Sequence, residues 1–355
     1  MKDGGLFITL YDERTLALYL KYAIYGFLMP PVLTPRPSFR SRHYHALGDY
    51  ACSREGTHIF FFLKRKIVYG GTVKGNRDIA SFYLNGKTSP LGRTANAELF
   101  WDESIRYIPT DQDGIFLVRG NERSQPFILQ FNKVPGLTGK QISSDDLYFE
   151  LGQYPYPLPS NTIQRMSFCT LTPGETQTSL ELMSRSEEHF NVPSTENMII
   201  GDSQQLFESR FIDEEHYQNE AHLEFSLLVD LDRIRQLLPC DDYILCRQVP
   251  ISPFKPFQMD RADICLYSLS NQIRNGTIPN VIIELKNERA NFHAYDQMVR
   301  YLNWLSKITG QEDFQKIVPI IVAPEFNIRR NKIDLKYEAK IIMYSLNTHS
   351  KYILV

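Results

Sequence analysis

Cysteine is scarce in this sequence of 355 residues, and the five cysteines are widely spaced along it: Cys52, Cys169, Cys240, Cys246 and Cys265. None of them belongs to a C-x-x-C pair, and their number is odd. The sequence therefore excludes a zinc ribbon and does not support a disulfide framework. We expect the protein to work in a reducing, cytoplasmic compartment.

Long apolar runs are also lacking. The longest, Tyr22 to Met29, is too short to cross a bilayer. Asp3, Asp12 and Glu13 stand where a signal peptide would carry basic residues, so we expect neither secretion nor membrane association. The sequence has no complete G-x-x-x-x-G-K-[ST] phosphate loop, since Gly86-Lys87-Thr88 follows Ser81 where that motif needs glycine, and it has no G-x-S-x-G elbow and no HExxH zinc motif. These absences exclude the nucleotide hydrolases, serine hydrolases and zinc peptidases that depend on them.

Charge is nearly balanced over the whole chain, with a formal net charge of −2. Its distribution is uneven, however. Residues 1–140 contain 19 Lys and Arg against 12 Asp and Glu, whereas residues 141–355 contain 20 against 29. This division indicates that the first part meets a polyanion while the second contains clustered carboxylates.

The first part of the chain has the texture of a β-rich or α+β module. The pattern predicts a helix over Glu13–Met29, a basic loop over Pro35–His45 and strands over Thr57–Leu63 and Lys66–Val73. Shorter strands and a hairpin turn are predicted at Glu98–Trp101, Gly114–Val118, Pro126–Phe131 and Asn85-Gly86.

Regular secondary structure is predicted again after a segment rich in Pro, Ser, Thr and Glu. The domains expected are 1–175 for recognition, 176–208 as a connection and 209–355 as an α/β domain with a central mixed sheet. Its predicted helices are Asn219–Leu238, Asn291–Thr309 and Arg329–Tyr337. Its predicted strands are Tyr243–Pro250, Ala262–Leu269, Val281–Leu285, Ile317–Ala323 and Lys340–Ser345.

Three charged residues fall on two adjacent predicted strands of this domain. Glu284 and Lys286 are two positions apart and so share one face of their strand, and a hairpin would bring Asp263 beside them. Two carboxylates and a lysine at one sheet edge suit phosphodiester hydrolysis with Mg²⁺, with Mn²⁺ expected to substitute. Asp260 competes with Asp263, but its position three residues earlier places it on the opposite strand face.

An E-x-K triplet by itself is common and is usually a solvated charge pair. Two features favour the functional interpretation here. The apolar run Val281–Ile283 makes the strand buried, where charge is costly. On the following helix, Gln297 and Tyr301 lie one turn apart on one face, although a surface Gln and a core Tyr would produce the same spacing.

Asp263, Glu284-Leu285-Lys286 and Gln297-x-x-x-Tyr301 together resemble the signature of the PD-(D/E)XK nuclease superfamily, in its RecB-like branch. Within that superfamily, residues 215–345 are most similar to the C-terminal domain of NucS (EndoMS) endonucleases. The resemblance implies a restriction-endonuclease-like fold and metal-dependent cleavage of DNA. It also implies a helical acid near the metal, for which Glu220 is preferred over Glu224. The connection from Asp263 to Glu284 is longer than this pattern leads one to expect.

The charge and the length of these side chains suggest a role for each of them in catalysis. Asp263, Glu284 and the Leu285 carbonyl are expected to hold the metal, and Lys286 to orient the water and stabilise charge on the phosphate. Gln297 and Tyr301 are expected to position the site from the helix.

The basic first part is expected to bind double-stranded DNA. Basic side chains are interleaved with aromatic ones between residues 36 and 93, although a solvated basic face over core aromatics would look similar. The predicted contacts are Arg36, Arg40, Arg42, Tyr44, Lys64, Arg65 and Lys66. This part is weakly similar to PUA-like EVE and ASCH barrels, which implies Tyr44, Tyr50 and Trp101 as a pocket for a modified or flipped base.

The sequence therefore predicts a Mg²⁺-dependent DNA endonuclease of restriction or phage defence. One alternative is a repair endonuclease that cuts mismatched or branched DNA. Another is a DNA-binding protein without catalysis, which the intact Asp263, Glu284 and Lys286 set disfavours. A homodimer would supply two active sites for double-strand cleavage, but no residue identifies its interface.

Overall fold

The structure is a computed structural model. It describes residues 4–10, 12–29, 41–75, 83–84, 124–151, 168–192, 217, 219–252, 260–330, 333 and 335–353. The predictions at Glu98–Trp101, Gly114–Val118 and Asn85-Gly86 lie outside these residues. No helix within them is both long and apolar enough to span a membrane.

A mixed sheet of eight strands forms the first half of the described structure. β1 and β3 run parallel, whereas the other pairs are antiparallel. The order is β2-β6-β4-β3-β1-β8, with β5 beside β6 and β7 beside β4. The strands are β1 (Gly5–Thr9), β2 (Ile24–Met29), β3 (His58–Leu63), β4 (Lys66–Val73), β5 (Tyr83–Leu84), β6 (Ser124–Asn132), β7 (Gln141–Ser143) and β8 (Phe168–Leu171).

The strands predicted at Thr57–Leu63, Lys66–Val73 and Pro126–Phe131 are confirmed as β3, β4 and part of β6. Among the strands that the structure describes, no pairing joins β2 to β8 and closes the sheet. The PUA-like barrel is therefore not confirmed.

The helix predicted over Glu13–Met29 is wrong in its second half. Helix α1 (Glu13–Tyr22) begins at the N-cap Asp12 and ends where Ala23 adopts the left-handed conformation, with φ of 53°. The chain then continues as β2, which pairs antiparallel with β6. The aromatic and branched residues of β2 suit a sheet, and that pairing outweighs their apolar spacing.

The loop predicted over Pro35–His45 is also wrong where the structure describes it, because helix α2 (Ser41–Cys52) begins at Ser41. Tyr44, Leu47 and Ala51 recur at helical spacing and are buried. Their burial on one face explains why this segment is helical despite its basic residues.

Two further helices accompany the first sheet, α3 (Ser144–Leu151) and α4 (Pro173–Arg185). The start of α4 is well defined, because Thr172 and Glu175 form a reciprocal capping box and Pro173 occupies the first turn. A Cβ added to Gly174 would lie 2.6 Å from Thr277 Cγ2, so α4 packs directly against the second half of the chain. The segment 176–208, predicted as a connection, thus contains most of a packed helix.

A six-stranded sheet forms the second half, in the order β16-β15-β13-β11-β10-β9. It is mixed, because β11, β13 and β15 are mutually parallel while β9, β10 and β16 are antiparallel to their neighbours. The strands are β9 (Tyr243–Ser252), β10 (Asp260–Ser268), β11 (Val281–Leu285), β12 (Arg289–Ala290), β13 (Val318–Ala323), β14 (Glu325–Phe326), β15 (Ile342–Ser345) and β16 (Ser350–Lys351), where β12 and β14 form a separate small ladder.

Helices α5 (Glu220–Val229), α6 (Phe292–Ile308) and α7 (Gln311–Gln315) accompany this sheet. The mixed sheet with helices confirms an α/β arrangement in this part. The helix predicted over Asn219–Leu238 is interrupted at Asp230, after which Leu231–Leu237 continues as a 3-10 helix. Of the helix predicted over Arg329–Tyr337, the structure describes a 3-10 turn at Leu335–Tyr337.

One hydrophobic core runs through both halves. It contains side chains of β1 and α2 together with those of α5, β11 and β15. A second core lies on the α6 side of the second sheet. Strand β11 is buried along its whole length, and its alternate residues supply Ile283 to the shared core and Ile282 to the second core.

Glu175 provides a test of the α4 N-terminus. Burial raises the pKa of its carboxyl to about 7, against the hydrogen bonds from Thr172. Because the folded state then binds the proton more tightly than the unfolded chain, stability should fall as pH rises from about 4.5 to 7. Glu175→Gln keeps an acceptor for the Thr172 N–H and should abolish that fall, which is on the order of 2–3 kcal/mol.

Thermal unfolding measured at pH 5 and at pH 8 checks this expectation. Glu181→Gln is the matched control, because Glu181 is exposed on the same helix. Parallel pH profiles for wild type and Glu175→Gln would show that the Glu175 carboxyl does not titrate in this range.

Candidate active site

Two carboxylates meet on adjacent strands of the second sheet. The antiparallel register pairs Ile264 of β10 with Ile283 of β11, and this places Asp263 opposite Glu284. The structure thus brings together the two acids that were predicted to lie side by side. Asp260 is held elsewhere, because its Oδ2 accepts a hydrogen bond of 3.0 Å from Arg300 Nε.

Asp263 is oriented by hydrogen bonds to both of its oxygens. The backbone N–H of Leu285 donates to Oδ2 at 2.8 Å, and the side-chain amide of Gln248 donates to Oδ1 at 3.0 Å. These two donors come from the strands on either side of β10. The carboxylate plane of Asp263 is therefore defined by the sheet itself.

Lys286 lies at the centre of the site. Its Nζ is 2.7 Å from the Leu285 carbonyl oxygen, 3.0 Å from Glu284 Oε1 and 3.1 Å from Glu220 Oε1. Glu220 is at the first turn of α5 and is half exposed. The ammonium thus contacts three of the oxygens that were predicted to lie around a metal.

Acidic side chains outnumber basic ones at the site. Burial raises the pKa of Asp263 to about 7, with a further contribution from Glu224. Burial and Asp263 raise the pKa of Glu284 well above its ordinary range. Burial opposes the charge on Lys286, but Glu284, Asp263 and Glu220 outweigh it and raise the pKa of the ammonium. One lysine cannot neutralise this group of acids, so the site favours additional positive charge.

Gln297 and Tyr301 share one face of α6, as predicted. Gln297 Nε2 donates to Tyr301 Oη at 2.6 Å, and Tyr301 Oη donates to the Arg261 carbonyl at 2.5 Å. The same hydroxyl lies 3.3 Å from Glu284 Oε2. Burial, followed by the charge of Glu284, raises the pKa of Tyr301, so it stays a neutral hydroxyl that supports the Glu284 carboxylate.

The donor set is suited to a hard divalent cation. Asp263, Glu284 and the Leu285 carbonyl offer oxygen ligands only, with Glu220 within reach of the same ammonium. Mg²⁺ prefers such oxygens and keeps several waters when it has few protein ligands. No group of three or more His, Cys, Asp and Glu side chains with the arrangement of a metal site occurs in the described ranges.

A second ionic cluster, which the sequence analysis did not predict, lies behind the site. The guanidinium of Arg247 on β9 is buried and binds Glu224 through two hydrogen bonds, Nε at 2.9 Å and Nη2 at 2.6 Å. Its Nη1 is 3.2 Å from Asp49 Oδ2, and its Nη2 is 2.5 Å from His45 Nδ1. Glu224, the second candidate for the helical acid, is thus engaged by Arg247, whereas Glu220 faces Lys286.

The protonation of this Arg247 cluster follows from its burial. Burial acts to raise the pKa of Glu224, but Arg247 and His45 outweigh it and hold that pKa below its ordinary value. For Asp49, burial outweighs Arg247 and raises the pKa to about 6. The signal in the sequence was an arginine inside the mainly apolar strand β9. In the structure, Gly48 gives the guanidinium room, because a Cβ there would lie 2.7 Å from Arg247 Nε.

Of the residues predicted to contact DNA or a base, some lie outside the described residues and others are buried in the core. Arg36, Arg40 and Trp101 lie outside the described residues, and Arg42 lies in α2. Tyr44 is buried, with its ring stacked on His222 at 4.3 Å, and Tyr50 is fully buried. Both tyrosines therefore belong to the core, and their rings are not open to a base.

The basic residues at the β3–β4 turn form ion pairs on the surface. Lys64 Nζ is 3.1 Å from Glu13, Lys66 Nζ is 2.5 Å from Glu188, and Arg65 contacts Asp145. Lys64 and Arg65 both have positive φ, at 49° and 64°, as the two central residues of a tight hairpin do. The turn projects the three basic side chains next to acids of the same surface.

Comparison with known proteins adds little. No family model matches the sequence, and no curated protein is similar to it. The fold search finds the crystal structure of a repair endonuclease from Pyrococcus abyssi, at 19% identity and a TM-score of 0.26. The match covers 37% of this chain and 48% of that one, so it spans about half the length of the other protein. At this identity and TM-score the likeness shows neither a shared fold nor a shared activity.

Removal of the Arg247 guanidinium should be strongly destabilising. Arg247→Met would leave the buried acids Glu224 and Asp49 without their counter-ion, which is expected to cost about 3–5 kcal/mol of unfolding free energy. The loss should be smaller at pH 5, because unpaired buried carboxyls take up protons more readily. Chemical denaturation at pH 5 and pH 8 measures both effects.

Arg235→Met is the matched control. Arg235 is half exposed, and its Nη2 is 2.8 Å from the exposed Asp241. Its loss should change stability by less than about 1 kcal/mol. Equal effects of the two substitutions would contradict the structural importance of the Arg247 cluster.

Proposed function

We propose that this protein is a metal-dependent DNA endonuclease that hydrolyses phosphodiester bonds at the site of Asp263, Glu284 and Lys286. One observation carries the proposal. The Lys286 ammonium contacts Glu284, the Leu285 carbonyl and Glu220, so a set of oxygens here already binds a cation. The acidic side chains here outnumber the one lysine, and this favours binding of a further, divalent cation.

The proposed metal ligands are Asp263, Glu284 and the Leu285 carbonyl. Mg²⁺ bound there would polarise the phosphate and lower the pKa of a bound water. The protein's own contribution is positional. Leu285 N–H and Gln248 orient Asp263, while Tyr301, supported by Gln297, lies against Glu284.

Lys286 is the residue that we propose acts on the attacking water and the phosphate. The neighbouring acids keep its ammonium protonated, so it acts as a cation and hydrogen-bond donor, not as a base. When DNA is bound, the ammonium is expected to orient the attacking water and to stabilise negative charge on the phosphate. Glu220, whose Oε1 is 3.1 Å from the Lys286 Nζ, is proposed to accept a hydrogen bond from that water.

The proposed substrate is double-stranded DNA, and the proposed setting is restriction or phage defence. The excess of Lys and Arg in residues 1–140 supports binding to a polyanion. Recognition of a modified base by the first half is part of this proposal, but Tyr44 and Tyr50 do not supply an open pocket for it. Repair of mismatched or branched DNA is the alternative setting.

Cleavage assays test the proposed site directly. Asp263→Asn and Lys286→Ala are each expected to lower the cleavage rate by about 10²–10³-fold, because each removes charge that acts on the reacting phosphate. EDTA should abolish cleavage, and Mg²⁺ or Mn²⁺ should restore it. Lys316→Ala, which removes a partly exposed lysine paired with Asp313, should leave the rate unchanged.

Cleavage that survives EDTA or Lys286→Ala would reject this site. A panel of unmodified, methylated, mismatched and branched duplexes separates the settings. Cleavage of mismatched or branched duplexes alone would favour repair over restriction. Binding to the panel without any cleavage would favour a non-catalytic DNA-binding protein.

The predicted contact of Arg42 with a DNA phosphate can be tested through the salt dependence of binding. Arg42→Glu should weaken DNA binding on all sequences and reduce the slope of log K against log salt by about 1 or more. Binding measured in EDTA from low to moderate salt checks this. Lys316→Glu is the control, because it makes the same charge change in the second half of the chain and should leave the slope unaltered. If Arg42→Glu also leaves the slope unaltered, Arg42 does not contact a phosphate.

A further inference from the structure

Gln248 has an unusual backbone conformation for a strand residue. It lies inside β9, yet its φ is +51°, in the left-handed region that L side chains rarely adopt. Such strain persists only where the surroundings enforce it, and it is concentrated at functional sites. The ladder accommodates it, since Val249 pairs with Ala262 and Arg247 pairs with Ile264 on either side.

The contacts of the Gln248 side chain give a reason for this conformation. Its Nε2 donates to Asp263 Oδ1 at 3.0 Å and lies 3.3 Å from Glu224 Oε1. Glu224 is itself held by the Arg247 guanidinium through two hydrogen bonds. One amide thus joins Asp263 to the buried Arg247 cluster, whose position is defined by α2 and α5.

The chemistry of an amide suits this position between two carboxylates. It donates hydrogen bonds without adding charge, so Asp263 is oriented but its negative charge is not neutralised. A Lys or Arg here would compete with a bound cation for Asp263. A carboxylate here would repel both acids. An apolar residue would leave an oxygen of Asp263 without this donor.

We propose that Gln248 is a positioning residue, whose amide fixes the carboxylate of Asp263 in the orientation that receives a divalent cation. The strained backbone at this position is retained for that contact. This inference rests on the proposed function, because it assigns Gln248 a role toward the same metal-binding acid.

Two substitutions separate the amide from the strain. Gln248→Gly removes both the amide and the penalty of the left-handed backbone. Gln248→Met removes the amide but keeps the length of the side chain and the strain. His349→Gly is the control for the glycine effect, since His349 has φ of +49° in an exposed turn of the second half.

The readouts are the melting temperature in EDTA, its rise on addition of Mg²⁺, and the steady-state kinetics of cleavage. Gln248→Gly should melt in EDTA no lower than wild type. Both Gln248 variants should require at least ten-fold more Mg²⁺ for the half-maximal rise in melting temperature. At fixed Mg²⁺ their kcat should fall at least ten-fold, while KM for DNA stays the same. His349→Gly should match wild type in Mg²⁺ requirement and in kcat.

Three results would overturn the proposal. A wild-type Mg²⁺ requirement in both Gln248 variants would show that the amide does not position Asp263. A melting temperature of Gln248→Gly well below that of Gln248→Met would indicate a merely structural role. A wild-type protein that neither responds to Mg²⁺ nor cleaves DNA would reject the proposed function itself, and this inference with it.

Discussion

The burial of one guanidinium constrains the arrangement of the whole molecule. Arg247 enters the interior on β9, and a buried charge is tolerated only when paired and hydrogen-bonded. Its counter-ions come from Asp49 on α2 and Glu224 on α5, so both helices have to lie against β9. Gly48 allows the backbone of α2 to approach the guanidinium closely. The end of α2 is joined to α5 again, by the hydrogen bond from Arg54 to the Leu228 carbonyl.

Two charged clusters thus lie side by side, a fully buried one around Arg247 and a partly exposed one around Lys286. In the Arg247 cluster the cation is enclosed by acids, and the positive charge stays in place. Around Lys286 three acids face one cation, and burial, with a further contribution from Glu224, raises the pKa of Asp263. Gln248 lies between the two clusters, and its uncharged amide donates to Asp263 and to Glu224. A buried, hydrogen-bonded ionic cluster next to a site where acids outnumber the lysine is the arrangement expected of a preorganised cation-binding centre.

The sequence allowed much of this arrangement to be predicted. Strands β3, β4, β11 and β13 stand out as apolar or β-branched runs between turns, and the adjacency of Asp263 and Glu284 follows from one hairpin. Ile24–Met29 was mistaken for helix because its state depends on the distant partner β6. Helix α4 was missed because polar residues hide its buried face. The Arg247 cluster joins three elements that only the tertiary fold brings together. An arginine in a mainly apolar strand signals a buried charge, but no local pattern identifies its partners Asp49 and Glu224.

The core shared between β1, α2, α5 and β15 has a practical consequence for protein engineering. In nucleases built as separable modules, a recognition unit can be exchanged by cutting the chain at a linker. Here such a cut would expose apolar side chains on both fragments and would separate Asp49 from Arg247. For the proposed nuclease, altered target choice therefore has to come from surface substitutions within an intact chain, not from the exchange of modules.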